Sequence, residues 1–347
     1  HVMGYASSSR LLASLTVRRR VERALDLGCG SGIEAILAAG HADQVIATDI
    51  NPRALAFTAF NAALNGMNNV ECREGSFFEP VAGETFDLIV SNPPFVISPE
   101  KTIVFRDGGL RADDVGRLVL RESAGHLRDG ALAFVMMNWG IGPGGDWRER
   151  PSAWAADLPC DVWVLQRERE MPLLYAASWN DRLLDRPTEY ASALDRWSAY
   201  LAGLGFASVG FGVAIVRKPE GPPRWVRFDE IAIDGEEPAG EQIARLIAAQ
   251  DFLAGLADDR ELLGVRLALA PEHRLDEALR QRDGSFVVEG ATLRSTTGLG
   301  FALPLDGRSL ALLARLDDRP VGVAMGRDPA AIDLVKRLLG LGLARVV

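Results

Sequence analysis

The stretch Asn92-Pro93-Pro94-Phe95 combines residue types that suit the handling of a polar nitrogen. It follows an apolar run, residues 86–91, that is typical of a buried strand. The two prolines remove two backbone N–H donors and forbid a helix or a ladder there. The Asn92 oxygen and the Pro93 carbonyl can then accept from an amine or amide, while the Phe95 ring offers a face to a planar group. A plain strand-ending turn is the alternative interpretation.

A second pattern, ALDLGCGSGIEAILAA, places three glycines between a strand and a helix. Gly28, Gly30 and Gly32 allow a tight turn and a close approach of backbone to a ligand, and Asp26 precedes them. A dinucleotide fingerprint requires a further glycine where this chain has Ile33. The loop therefore matches a pyrophosphate cradle poorly.

Residues 24–95 resemble the class I S-adenosylmethionine-dependent methyltransferases, within them the subgroup that carries N-P-P-[FY]. The resemblance extends over about residues 3–218 and implies S-adenosylmethionine as the cofactor. It also implies that Asp26 and the loop Gly28–Gly32 contact the methionine portion of the cofactor. A carboxylate can accept from the ammonium group there. The resemblance assigns catalysis to Asn92, Pro93, Pro94 and Phe95, and it also places Asn92 among the residues that bind the cofactor.

The rest of the predicted cofactor site follows the second and third strands. Asp49 ends the second strand where an acidic residue grips ribose hydroxyls. It could instead cap the next helix, although Asn51 is better placed for that. Ile50 then packs on the adenine. Ser76 stands where many relatives carry an Asp, so adenine recognition is predicted to rest on the backbone of Ser76 and Phe77.

Candidates for contact with the methyl acceptor lie further along the chain. Arg106, in a long loop, could bind a carboxylate or phosphate, or simply be solvated. Trp139, just past the predicted fifth strand, could line the acceptor pocket or belong to the core. Tyr5 and Ser7–Ser9 are expected to close over the cofactor. No metal site is predicted, because histidines and cysteines lack ligand spacing.

Composition limits the remaining choices. The 347 residues carry a net charge of −9, which argues against binding nucleic acid mainly through phosphates but allows a local RNA contact. No apolar stretch approaches the roughly 20 residues of a membrane span. Three widely separated cysteines indicate a reducing cytoplasm. The chain begins at His1, so further sequence could precede it.

Strand-like runs alternate with helical patterns as far as Lys218. This alternation predicts an α/β fold: a doubly wound, mostly parallel, seven-stranded sheet in a catalytic domain of residues 1–219. Its last strand-like run, residues 207–218, is expected to form an edge strand of the sheet or a strand inserted between two others. A Pro- and Gly-rich linker, residues 217–225, leads to a smaller α+β domain of residues 226–347, expected to be winged-helix-like.

These patterns predict an N-methyltransferase that acts on a planar amine or amide nitrogen of ribosomal RNA or a translation protein. A tailoring enzyme for a small metabolite is the alternative, and a cofactor-binding scaffold without turnover is a third. The oligomeric state and the acceptor atom are left open by the sequence.

Overall fold

The computed structural model describes residues 2, 4, 6–100, 110–223, 225–233, 237–317 and 319–347. The chain divides into two compact units, His1–Glu230 and Ile231–Val347. No helix among the described residues has both the length and the apolar character needed to cross a bilayer.

The first unit is built on one mixed sheet whose strands run in the order β3-β2-β1-β4-β5-β7-β6-β8, eight within the described residues. These strands are β1 (Val21–Leu27), β2 (Ala42–Asp49), β3 (Val70–Glu74), β4 (Phe86–Ser91), β5 (Leu127–Ile141), β6 (Asp161–Glu170), β7 (Ser208–Arg217) and β8 (Val226–Glu230). The helices of this unit are α1 (Ser7–Leu15), α2 (Ile33–Ala39), α3 (Pro52–Leu64), α4 (Asp114–His126), α5 (Glu149–Ala155), α6 (Pro172–Trp179) and α7 (Pro187–Gly203).

The sheet has a parallel half that positions the predicted motifs. Strands β3, β2, β1, β4 and β5 are parallel neighbours. Chain order reverses between β1 and β4, so the carboxyl ends of these two strands open a crevice of the kind where α/β sheets bind ligands. The glycine loop follows β1 and the Asn92 turn follows β4. The predicted α/β sheet is confirmed.

The other half of the sheet departs from the prediction in one strand. β7 lies antiparallel between β5 and β6, as expected for an inserted strand. An additional strand, β8, pairs with β6 in parallel register from Val162↔Val226 to Gln166↔Glu230. The prediction of seven strands was therefore one short, and residues 226–230 belong to the first unit rather than to the second. The Pro- and Gly-rich linker is a connection within the sheet.

The second unit has its own apolar core and mixed secondary structure. A three-stranded antiparallel sheet, β10-β11-β12, accompanies the pair β13-β9. Its elements are α8 (Gly240–Gly255), β9 (Leu267–Leu269), β10 (His273–Arg282), β11 (Ser285–Ser295), β12 (Ala302–Leu305), α9 (Gly307–Leu313), α10 (Val321–Ala324), α11 (Pro329–Gly340) and β13 (Ala344–Val346). The α+β class is confirmed, and the winged-helix-like arrangement stays a prediction.

Candidate active site

The glycine loop adopts a backbone that requires glycine. Gly28, Gly30 and Gly32 have φ of 77°, 53° and 84°. A Cβ on Gly32 would also lie 2.8 Å from Cγ2 of Thr58, in α3. The N–H groups of Gly28 and Cys29 both donate to the Thr48 carbonyl at 2.9 Å, which ties the loop to the end of β2. The close turn inferred from the sequence is present.

Asp26 lies beneath this loop and is almost wholly buried. Its Oδ2 accepts from the N–H of Ala35 at 2.8 Å. Burial raises the pKa of Asp26 to about 7, and the nearby charge of Asp49 acts in the same direction. Glu34 is buried beside it, its Oε1 has no partner, and desolvation raises its pKa well above the usual value. Both carboxyl groups line one small hollow together with Asn92.

Asp49 holds the loop from the end of β2. Its Oδ2 accepts from Gly30 N at 3.0 Å, and its Oδ1 accepts from Asn51 N at 2.8 Å. Asn51 caps α3 by accepting from Arg53 N at 3.1 Å, so the helix cap is Asn51 and not Asp49. Ile50 is 57% exposed. A ribose-binding Asp49 and an adenine-binding Ile50 therefore stay predictions compatible with this geometry.

The end of β3 comes close to the same crevice. Gly75 N donates to the Asp49 carbonyl at 3.1 Å. Ser76 and Phe77 follow and are half-buried. Phe77 has φ of 45°, in the left-handed region that non-glycine residues rarely occupy. Strain of this kind is commonly kept at ligand sites, which suits the predicted backbone contacts to adenine.

The turn after β4 presents an unpartnered acceptor. Asn92 donates through Nδ2 to the hydroxyls of Ser8, at 3.1 Å, and Ser9, at 3.2 Å, both in α1. Its Oδ1 is buried and has no hydrogen-bond partner. The Pro93 carbonyl accepts from Phe95 N at 2.7 Å and keeps a second lone pair. The amino-terminal serines thus orient the Asn92 amide, a role that the sequence did not reveal.

A cavity of about 410 Å³ opens beside this turn. The amino-terminal segment, the Asn92 turn, β5, β6, α6 and β7 all contribute to its wall. The described residues that line it are Ala6, Ser7, Ser8, Asn92, Pro93, Phe95, Val96, Asn138, Arg167, Glu168, Glu170, Tyr175, Ser178, Trp179, Val209 and Phe211. The Phe95 ring lies 5.5 Å from that of Phe211. Asn92 and Phe95 are therefore placed in one wall.

Trp139 does not line this cavity, so its prediction as a pocket residue was wrong. β5 continues past the predicted end, and alternation along the strand turns Asn138 toward the cavity and Trp139 into the core. Gly210, its partner on β7, makes room, since a Cβ there would come within 2.5 Å of the Trp139 ring. Arg106 and Tyr5 lie outside the described residues.

Several lining residues were not anticipated. β6 bulges between Gln166 and Glu168, where its register with β7 shifts, and Glu168 lines the cavity beside this bulge. α6 adds Tyr175 and Trp179. The run RERE at the end of β6 was a usable signal, because four consecutive charges are unusual in a buried strand.

Comparisons with known proteins match the part of the chain that contains the glycine loop and the Asn92 turn. Residues 5–138 match the family model "Methyltransferase small domain". A release factor glutamine methyltransferase of Xylella fastidiosa is 36% identical over 135 residues, 35% of this chain and 48% of the relative. A ribosomal protein uL3 glutamine methyltransferase of Bradyrhizobium diazoefficiens is 40% identical over 127 residues, 32% and 40% of the two chains. The ribosomal RNA small subunit methyltransferase C of Alcanivorax borkumensis is 28% identical over 116 residues, 33% and 32%.

The matched segment, residues 5–138, is similar to methyltransferase domains, which agrees with the prediction made from its motifs. The three relatives are named for the methylation of a release factor, a ribosomal protein and ribosomal RNA, and the chain spans less than half the length of each of them.

The residues present fit S-adenosylmethionine. The left-handed glycines leave bare backbone where the methionine portion would lie. The buried carboxyl groups of Asp26 and Glu34 suit an ammonium group, and each Asp49 oxygen keeps a lone pair for a ribose hydroxyl. Asn92, whose Oδ1 has no partner, lines both this hollow and the larger cavity.

Proposed function

We propose that the chain is an S-adenosylmethionine-dependent N-methyltransferase that acts on a planar amine or amide nitrogen of a translation component. The observation that carries this proposal is the buried Oδ1 of Asn92, which has no hydrogen-bond partner and belongs to a residue that lines both the cofactor hollow and the cavity. Buried acceptors are normally satisfied, so an N–H donor of the substrate is its natural partner.

The proposed mechanism depends on the alignment of the acceptor nitrogen. An amide or base nitrogen is a poor nucleophile, because its lone pair is delocalised. When bound, the cofactor supplies a methyl group on a sulfonium, already activated for transfer. Asn92 Oδ1 and the Pro93 carbonyl accept the two N–H bonds of the acceptor nitrogen, which directs its lone pair toward the methyl group. The proton leaves after methylation, so no general base is required beforehand.

Other features favour a macromolecular acceptor over a metabolite. Met171, Leu173 and Leu174 are at least 57% exposed. They lie at the start of α6, the helix that also supplies Tyr175 and Trp179 to the cavity wall. An exposed apolar group next to a binding cavity is typical of a docking surface. The glutamine and ribosomal RNA methyltransferases among the relatives support a translation component, and a cytoplasmic setting belongs to the same proposal.

Replacement of Asn92 by Ala tests the proposal. The variant is expected to bind S-adenosylmethionine within a fewfold of the parent in calorimetry and to transfer label from the radiolabelled cofactor to cell extract at least about a hundredfold more slowly. Asn69→Ala is a matched control, because the Nδ2 of Asn69 also donates two hydrogen bonds, here to the carbonyls of Ala39 and Ala42, away from the crevice. Turnover that survives in Asn92→Ala would contradict the mechanism. Release of the label by nuclease or by protease identifies the acceptor class.

A further inference from the structure

The Asn92 turn has few backbone donors with which to hold its own position. Pro93 and Pro94 have no N–H, and the N–H of Phe95 donates to the Pro93 carbonyl within the turn. Residues 92–97 form neither a helix nor a strand, so no regular ladder fixes them. The position of the turn therefore depends on groups that other elements supply.

Side chains from two helices supply such groups, one on each side of the turn. Ser8 and Ser9, in α1, accept from Nδ2 of Asn92 and orient its amide. After the turn, the N–H of Ile97 donates to the hydroxyl of Tyr175, in α6, at 2.9 Å. Both Ile97 and Tyr175 are buried. A buried N–H that loses its acceptor pays the full cost of its desolvation, so the segment is held firmly at this point.

The same hydroxyl is tied to a second wall of the cavity. It accepts from Nδ2 of Asn138, in β5, at 2.7 Å. The Tyr175 ring is packed near Trp179 and Trp197, at 6.3 and 6.1 Å between ring centroids, so the hydroxyl is carried by a rigid group. One oxygen therefore sets the distance between β5 and the segment that follows the Asn92 turn.

This distance matters because the transfer takes place beside it. In the proposed mechanism Asn92 Oδ1 and the Pro93 carbonyl hold the acceptor nitrogen, and Ile97 follows them by only a few residues. A misplacement of about 1 Å in a group that aligns a reactant can slow a reaction by roughly a hundredfold. The cofactor hollow is lined mainly by the glycine loop and its neighbours, and Tyr175 is not among its described lining residues. Loss of the hydroxyl should therefore affect alignment more than cofactor binding.

We propose that Tyr175 is a positioning residue of the methyl transfer, whose hydroxyl holds the Asn92 turn in place through the N–H of Ile97. This inference rests on the proposed function, since it takes the Asn92 turn as the place of transfer. It does not depend on the identity of the acceptor. Without the hydroxyl the cofactor and the acceptor still bind, but the acceptor nitrogen is misaligned with the methyl group.

Replacement of Tyr175 by Phe keeps the ring and removes the hydroxyl. The full chain is assayed with saturating radiolabelled S-adenosylmethionine over a dilution series of cell extract, which measures the maximal rate and the half-saturating amount of extract separately. The maximal rate of Tyr175→Phe should fall by about ten- to a hundredfold. The half-saturating amount of extract, and the cofactor affinity from calorimetry, should stay within a fewfold of the parent.

Two further variants separate positioning from a general loosening of the fold. Tyr200→Phe is the matched control, because the Tyr200 hydroxyl also accepts a backbone N–H, that of Ala112 at 3.4 Å, and Tyr200 is not among the described residues that line the cavity. Its maximal rate should equal that of the parent. Exchange of the Ile97 N–H for an ester oxygen, introduced as the hydroxy acid by nonsense suppression, removes the same bond from its other end. It should slow the transfer as Tyr175→Phe does, and it decides if Tyr175→Phe does not fold.

Several results would overturn this assignment of Tyr175. They are a maximal rate of Tyr175→Phe equal to that of the parent, an equal loss of rate in Tyr200→Phe, and a loss of cofactor affinity in place of rate. A change confined to the half-saturating amount of extract would also overturn it, because Tyr175 would then bind the acceptor rather than position the turn. Absence of label transfer by the parent would instead contradict the proposed function.

Discussion

At the scale of single residues, the hollow under the glycine loop concentrates carboxyl groups where a cation is expected. Asp26 and Glu34 are both buried, and both have raised pKa values because burial disfavours their charged forms. An ammonium group brought next to Asp26 would favour its ionised form. Cofactor binding and proton release by this residue should therefore be linked.

We expect the affinity for S-adenosylmethionine to weaken as the pH falls below about 7, the pKa of Asp26. The loss approaches about tenfold per pH unit, because one proton must leave on binding. Calorimetry in two buffers of different ionisation enthalpy should detect this proton at about pH 6 and little of it at about pH 8. The Asp26→Asn variant should bind S-adenosylmethionine more weakly at high pH, and its affinity should depend much less on pH. Glu34 supplies the pH dependence that remains. A parent affinity that is flat across this range would contradict the linkage.

The same raised pKa has an opposite effect on the fold. Between the ordinary value of 3.8 and about 7, the folded chain holds the Asp26 proton and the unfolded chain has released it. The contribution of this group to the free energy of unfolding therefore falls as the pH rises through that window and is constant above it. Asp26→Asn should lack this decline in urea titrations.

At the scale of elements, the glycine loop is shaped by the helix that packs on it. Gly32 is both left-handed and close to Thr58 of α3, whereas Gly28 is left-handed with nothing within 4 Å of its Cβ position. Gly28→Ala should cost about 1–2 kcal/mol in free energy of unfolding, from the backbone conformation alone. Gly32→Ala should cost roughly 1–3 kcal/mol more, because α3 must move.

Urea unfolding of both variants without ligand provides the comparison. The difference between them isolates the close approach of α3, since both share the left-handed backbone. Thr58→Ala removes the Thr58 side-chain atoms nearest to Gly32 and, combined with Gly32→Ala, should recover part of the extra loss, although the Thr58 backbone stays 2.9 Å away. Equal losses in the two single variants would show that packing on α3 contributes nothing.

The sequence predicted elements whose signals are local. The strands β1 to β4, the glycine loop and the proline turn were predictable, because apolar runs, glycines and prolines mark them within a few residues. α6 was missed, since PLLYAASW is short and largely apolar without helical periodicity. The contact of Tyr175 with Ile97 spans 78 residues of chain, and no local pattern carries such information. The burial of Trp139 depends on Gly210, a strand partner that lies 71 residues further along the chain.

At the scale of the whole molecule, the boundary between the two units was predicted only approximately. Pro and Gly in residues 217–225 marked a break in regular structure, which is what such residues report. These residues could not predict that the chain then returns to the sheet as β8. The alternation in VRFDE is weak, and its pairing with β6 is a long-range contact. The second unit begins instead at Ile231.

This difference predicts unequal stabilities for two fragments. Residues 1–230 should fold and bind S-adenosylmethionine with the affinity of the full chain, because the sheet and its core are complete. Residues 1–219 lack β8 and expose the edge of β6, which invites aggregation. They also lose the bond from Trp163 Nε1 to Asp229, 2.7 Å long, and the packing of Phe228 on Trp147, with ring centroids 5.7 Å apart.

The shorter fragment should therefore unfold at lower urea, with a free energy of unfolding smaller by roughly 1–3 kcal/mol, because the Phe228 side chain that it lacks is partly buried and contributes less than a fully buried aromatic side chain. In the fragment of residues 1–230, Phe228→Ala should reproduce much of this loss of stability while β8 still covers the edge of β6. Val226→Ala is the control, because the Val226 side chain in the same strand is exposed, and this variant should change stability little. The Phe228→Ala variant loses the aromatic contact but keeps the edge of β6 covered. If residues 1–219 aggregate without being less stable than residues 1–230, the uncovered edge of β6 alone is the cause. Equal stability of the two fragments would mean that β8 adds nothing to the first unit.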